Sequence, residues 1–128
     1  MTQTIFLIED EKSLSETLSR FLRDKGYSVE TAYSGVEAAE KLPLIKPDII
    51  LLDIVLPEKS GIDFLKEAQK EGSEYAKIPV IVLTNLQGNE ESFQKLGLRI
   101  ALYLIKANTS LEDLHKKIKE TLGNNSQL

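Results

Sequence analysis

Four short apolar runs each close on a residue that can do chemistry. Ile5-Phe6-Leu7-Ile8-Glu9-Asp10 closes on Asp10, and Ile49-Ile50-Leu51-Leu52-Asp53 closes on Asp53. Val80-Ile81-Val82-Leu83-Thr84 closes on Thr84, and Leu102-Tyr103-Leu104-Ile105-Lys106 closes on Lys106. Continuous runs of this kind, rich in Ile, Val and Leu, read as strands buried on both faces, and hence as a parallel sheet. In an open parallel sheet the ligand site lies outside the carboxyl ends of the strands. The pattern therefore delivers two carboxylates, a hydroxyl and an ammonium to one sheet edge.

Helical signals fill the gaps. Ser13-Leu14-Ser15-Glu16 reads as a capping box, with Leu14, Leu18, Phe21 and Leu22 on one face and Gly26 as the stop. Tyr27 to Ala32 reads as a shorter strand. Ser34-Gly35-Val36-Glu37 is a second capping box, opening a helix expected to end before Pro43. A turn with Pro57 and Gly61 leads into a helix expected over 62–71. Residues 72–79 read as a loop. Asn89 is the expected cap of a thinly amphipathic helix near Glu90 to Leu96. Thr109-Ser110-Leu111-Glu112 is a third capping box, before a helix with Leu111, Leu114, Ile118 and Leu122 on one stripe. The reading is α/β: five βα units with right-handed crossovers in a doubly wound parallel sheet of order 2-1-3-4-5. That order makes strands 1 and 3 neighbours and sets Asp10 beside Asp53.

Size and charge narrow the function. The 128 residues suit one domain over 1–128, with a core at about 4–122 and a polar tail at 123–128. The absence of cysteine excludes a disulfide framework and thiolate metal sites, and fits the cytoplasm. No apolar run approaches the ~20 residues of a membrane span, and Met1 to Thr4 lacks the basic region of a signal peptide. The net charge is −4 and the basic residues form no long run, which disfavours nucleic acid as a partner. No glycine-rich phosphate loop occurs. His115, the only histidine, reads as a solvated residue of the last helix.

Glu9, Asp10 and Glu11 cluster after the first strand, and Asp53 adds a carboxylate from the third. Clustered like charges repel unless a cation sits among them. Mg2+, a hard cation satisfied by one or two carboxylates, a carbonyl and waters, suits that set. Glu9, Asp10, Asp53 and the backbone carbonyl of Val55 are the expected ligands, while Glu11 is equally readable as a solvated loop residue. Asp53 is the candidate nucleophile, since a carboxylate can accept a phosphoryl group as an acyl phosphate. Lys106 supplies a compact positive charge and Thr84 a hydrogen bond to the same group.

From Thr4 to about Leu122 the chain resembles the receiver domain of two-component response regulators, a flavodoxin-like fold. Glu9-Asp10 matches the acidic pair, Asp53 the phosphoacceptor, and Pro57 and Gly61 the residues four and eight positions later. Thr84 matches the switch hydroxyl, Tyr103 the rotating aromatic, and Lys106 the lysine. Lys46-Pro47-Asp48 matches the usual lead-in to the third strand. The resemblance implies Mg2+ dependence, phosphoryl transfer from a histidine kinase or histidine phosphotransfer protein, and slow self-hydrolysis. It implies a regulator rather than an enzyme acting on other substrates. Output would pass through the face of the fourth helix, fifth strand and last helix, to an unknown partner or a second copy in a homodimer.

Three departures stand out. Ala107 follows the lysine where the family has proline, with a trans bond expected. Asn85 follows the threonine where a small residue is usual, and is expected to narrow access to the site. The segment 97–103 is more apolar than usual and is expected to put Leu98, Ile100 or Leu102 near the output surface. Two other readings compete: a degenerate receiver used only for docking, and an Asp-nucleophile phosphatase of the haloacid dehalogenase kind. The phosphatase would need an acid two residues after Asp53, where this chain has Val55.

Overall fold

The computed structural model describes residues 2–88 and 90–126. Strand β1 (Thr4–Ile8) is followed by helix α1 (Lys12–Asp24), β2 (Ser28–Ala32) and α2 (Gly35–Ile45). Then come β3 (Ile49–Leu52), α3 (Gly61–Ala68), β4 (Val80–Thr84) and α4 (Glu90–Lys95). The described part closes with β5 (Leu102–Ile105), a 3-10 turn over Lys106–Asn108, and α5 (Leu111–Ser126). The strands form one parallel sheet of order β2-β1-β3-β4-β5, as the apolar runs predict. Among the described residues no helix is long and apolar enough to cross a membrane.

Strand alternation builds two cores. Phe6, Ile8, Ile50, Leu52, Val80 and Val82 point to one face, where they meet Leu42 of α2, Phe64 and Leu65 of α3, and Phe93 of α4. Ile5, Leu7, Ile49, Leu51, Ile81 and Leu83 point to the other, against Leu18 and Leu22 of α1 and Leu114, Ile118 and Leu122 of α5. Each such side chain contributes roughly 1.5–3 kcal/mol by leaving water. Two-sided burial is why these strands carry no polar alternation.

Several boundaries differ from the sequence reading, each for a local reason. Helix α1 starts at Lys12 with no side-chain cap, so the Ser13 box goes unused. The buried carboxylate of Glu9 instead accepts the Glu11 N–H at 3.0 Å and sets the entry turn. Helix α2 continues through Pro43 to Ile45, ending with Lys46 in the left-handed region (φ 49°). The hydrogen bond lost at Pro43 is offset by Leu42 and Ile45 packing into the core. Helix α3 stops at Ala68, where Gln69 turns outward to pair with the backbone of Arg99: it accepts at 2.9 Å and donates at 2.8 Å. The third box shifts by one residue, with Ser110 accepting from the Asp113 N–H. Helix α5 runs past Gly123 to Ser126, so the start of the expected tail is helical. Asn89 lies outside the described residues.

The apolar segment 97–103 turns inward rather than toward the output surface. Leu98 is buried and Ile100 half-buried in the α2–α3–α4 core, and Leu102 packs on the other side. His115 is not a solvated residue: it is half-buried, edge-on to Tyr27 and Phe21 with ring centroids 5.6 and 6.3 Å away. Burial, with Lys119 and Lys25 nearby, holds its imidazole below the usual histidine pKa.

Candidate functional site

Register decides what meets at the carboxyl edge of the sheet. Ile8 pairs with Leu52, and the Asp53 N–H donates to the Ile8 carbonyl at 3.0 Å. Glu9 and Asp53 are thus level, and Asp10 lies one residue further along. Carboxylate oxygens of Glu9, Asp10 and Asp53 all lie within 4.8 Å of one another. Asp10 is exposed, whereas Glu9 and Asp53 are 2% and 6% exposed. Glu11 stays in solvent.

Lys106 joins the two buried acids. Its Nζ lies 2.7 Å from Asp53 Oδ2 and 2.5 Å from Glu9 Oε1. Burial pushes the Glu9 carboxyl above its ordinary pKa, against the pull of Lys106 and the Glu11 N–H. Burial alone would lower the ammonium's pKa, but its bonds to Asp53 and Glu9 hold it above the ordinary lysine value. The repulsion expected from the sequence is therefore partly neutralised within the chain. Three carboxylates against one ammonium still leave a negative, oxygen-only donor set suited to a hard divalent cation.

Asp53 is held at both oxygens. Lys106 binds Oδ2, and the Val55 N–H donates to Oδ1 at 3.1 Å. Its loop is pinned by close approach: the Gly61 N–H donates to the Ile54 carbonyl at 2.9 Å. A Cβ on Gly61 would fall 2.6 Å from the Asp53 carbonyl oxygen. Any larger residue there would displace the carboxylate's own backbone.

Thr84, buried at the end of β4, accepts from the Leu86 N–H at 3.3 Å. Tyr103 of β5 donates its hydroxyl to the Leu86 carbonyl and stands edge-on to Phe93 at 6.0 Å. The backbone of one residue, Leu86, therefore joins the Thr84 hydroxyl to the Tyr103 hydroxyl. Leu86 carries no sequence signal for this, because it contributes only backbone. Beside it, Asn85 is turned to the following loop, where its Oδ1 accepts the Ala107 N–H at 3.0 Å. No cis peptide bond occurs among the described residues, Ala107 included.

A buried, doubly held carboxylate beside an ammonium and two further acids can accept a phosphoryl group and stabilise its charge. Comparison with known proteins points the same way. The chain is 36% identical over 102 residues to the transcriptional regulatory protein DltR of Streptococcus agalactiae, covering 80% of this chain and 44% of that protein. It is 34% identical over 119 residues to the transcriptional regulatory protein CrdR of Helicobacter pylori, covering 93% and 54% respectively. The chain thus spans about half the length of these relatives. It superposes on a solved CheY-like response regulator receiver domain protein of Methanospirillum hungatei JF-1 with a TM-score of 0.88. That match has 26% identity and covers 99% of this chain and 98% of the other. The pattern of the response regulator receiver domain matches residues 5–119, and the chain belongs to that family.

Proposed function

We propose that the chain is a phosphorylation-driven signalling switch that takes its phosphoryl group on Asp53 from a cytoplasmic histidine kinase or histidine phosphotransfer protein. The observation that carries this reading is the buried Asp53 carboxylate, held at one oxygen by Lys106 and at the other by the Val55 N–H, with Glu9 and Asp10 alongside. An Asp53 oxygen attacks phosphorus, and the bond from phosphorus to the donor's imidazole nitrogen breaks. Its electron pair leaves with the donor, and an acyl phosphate remains. Attack of water on that phosphorus later restores the carboxylate and releases inorganic phosphate.

Lys106 moves from Asp53 Oδ2 to a phosphoryl oxygen, a short shift for an ammonium already in place. Glu9, Asp10, Asp53 and the carbonyl of Val55 would hold Mg2+, whose charge offsets that of the phosphoryl oxygens. Thr84 turns its hydroxyl toward the phosphoryl group, so the Leu86 N–H loses its acceptor. The Leu86 carbonyl then shifts away from Tyr103, whose ring turns inward beside Phe93. The signal leaves through the face of α4, β5 and α5, to an unidentified partner or a second copy. The phosphatase reading lacks support, because Val55 stands where the acid would be.

Acetyl phosphate with Mg2+ tests this directly, read by intact mass and by Phos-tag gel. One phosphate per chain is expected on the wild type, none on Asp53→Asn, and little on Asp10→Asn. Labelling of Asp53→Asn at the wild-type level would place the acceptor elsewhere. Repeated turnover of a small phosphate ester would make the protein a phosphatase.

A second measurement tests the switch. Beryllofluoride with Mg2+, a stand-in for the aspartyl phosphate, should perturb amide signals at 84–106 far more than those at 14–42. Charge-assisted bonds from Thr84 and Lys106 supply the few kcal/mol that such a shift needs. Changes confined to residues touching the ligand would leave a phosphoacceptor without output, and the docking reading would gain.

A further inference from the structure

Asn85 and Ala107 depart from the family pattern separately in sequence, yet in the fold they are the two halves of one hydrogen bond. The Ala107 N–H donates to Asn85 Oδ1 at 3.0 Å, across 22 residues of chain. A proline at 107 would have no N–H to give, and a small residue at 85 would have no acceptor to offer. Each departure therefore has its physical reason in the other.

The bond sits where the sheet stops holding the chain. The β4–β5 pairing ends with Thr84 against Ile105, and the next residues are Asn85 and Lys106. Lys106 opens the 3-10 turn Lys106–Asn108, whose internal bond runs from the Thr109 N–H to the Lys106 carbonyl at 3.2 Å. Thr109 Oγ1 donates back to the Ile105 carbonyl at 2.8 Å. Ala107, the second residue of this turn, is too near its start for its N–H to find an acceptor within it. Asn85 supplies that acceptor from the neighbouring strand, so its side chain extends the β4–β5 ladder by one rung.

We propose that Asn85 is a positioning residue for Lys106: by holding the Ala107 N–H it fixes the turn from which the ammonium reaches Asp53 and Glu9. The proposal rests on the assignment of Asp53 and Lys106 to phosphoryl transfer. A lysine side chain is long and rotamer-rich, so the placement of its charge depends on how firmly its backbone is held. Asn85 is exposed, and its side chain bonds the residue that follows Lys106.

The test compares initial labelling rates with acetyl phosphate and Mg2+ in four proteins: wild type, Asn85→Ala, Lys106→Met and the double variant. Asn85→Ala is expected to slow labelling about fivefold, the worth of one neutral hydrogen bond. In the Lys106→Met background the same change should have no further effect, because there is no ammonium left to position. Exchange of the Ala107 amide proton should quicken about fivefold in Asn85→Ala, while Val82 and Leu104 keep their protection.

Faster labelling in Asn85→Ala would mean that Asn85 only restricts access, and would overturn the proposal. So would an equal slowing in the Lys106→Met background, or unchanged exchange at Ala107. Asp53→Asn in the same assay separates the two claims. If it still labels, the phosphoacceptor assignment fails, whereas the exchange of the Ala107 amide reports on the bond whatever the labelling shows.

Discussion

Gly35→Ala should cost the protein about 3 kcal/mol and lower its Tm by about 10 °C. Gly35 is the first residue of α2, where alanine would ordinarily favour the helix. Its backbone lies directly against the β3–α3 loop. A Cβ there would fall 1.8 Å from the Lys59 carbonyl oxygen and 2.5 Å from the carbonyl carbon. Neither contact is with a flexible side-chain end, so the helix or the loop must move. Helix α2 is anchored by Ser34, which accepts the Glu37 N–H, and by Glu37, which accepts the Tyr33 N–H. The loop is the softer partner, and it follows directly on Asp53. Slower phosphoryl labelling should therefore accompany the lost stability. Gly123→Ala is the control: a Cβ there meets nothing within 4 Å, and the position lies inside α5. That change should stabilise by about 0.5–1 kcal/mol. Melting curves by circular dichroism decide the matter. A Tm for Gly35→Ala within a degree or so of wild type would mean that the α2–loop contact yields freely.

Gly35 also shows where sequence reasoning stops. Ser34-Gly35 reads as the start of a capping box and Gly61 as part of a turn, and Ser34 and Ser60 do cap helices. Nothing near them in sequence says that each glycine lies under another stretch of backbone. The apolar runs were legible because burial on both faces of a parallel strand leaves a continuous local pattern, and because an open sheet gathers its strand ends at one edge. Thus Asp10, Asp53, Thr84 and Lys106 could be named together from their positions alone. What they touch depends on register and loop path, which local patterns do not encode. Glu9 read as an acid in a cluster, whereas a buried ion pair with Lys106 requires knowing that β1 and β3 run level and that Lys106 reaches back to them from the end of β5. Asn85 and Ala107 each read as an isolated oddity, 22 residues apart, until the end of β4 is laid beside the end of β5. The links from Thr84 and Tyr103 to Leu86 and from Gln69 to Arg99 each end on backbone groups that every residue carries, so no residue type at 86 or 99 announces them.

Lys106→Met should destabilise the Mg2+-free protein by about 3 kcal/mol at pH 8, besides removing most phosphoryl labelling. The ammonium is the cation that Glu9 and Asp53 share, and their side chains are only 3% and 7% exposed. Methionine keeps much of the volume, so packing loss is small and the uncompensated charge dominates. The pH dependence follows from Glu9. Its carboxyl already titrates above the ordinary value because of burial, held down in part by Lys106. Without the ammonium it should titrate higher still. A carboxyl raised on folding binds its proton more readily in the folded state than in the unfolded one. Its penalty is therefore largest above the folded pKa and shrinks as the pH falls toward the unfolded value near 4.5. The stability gap between wild type and Lys106→Met should narrow steadily from pH 8 to pH 5 in urea titrations. Adding Glu9→Gln should close most of the gap at pH 8, because it removes the stranded charge by substitution instead of by protonation. Mg2+ should stabilise the single variant more than the wild type, since metal and ammonium neutralise overlapping charge. A gap that is constant with pH, and unmoved by Glu9→Gln, would mean that the Glu9–Lys106 contact contributes little to stability.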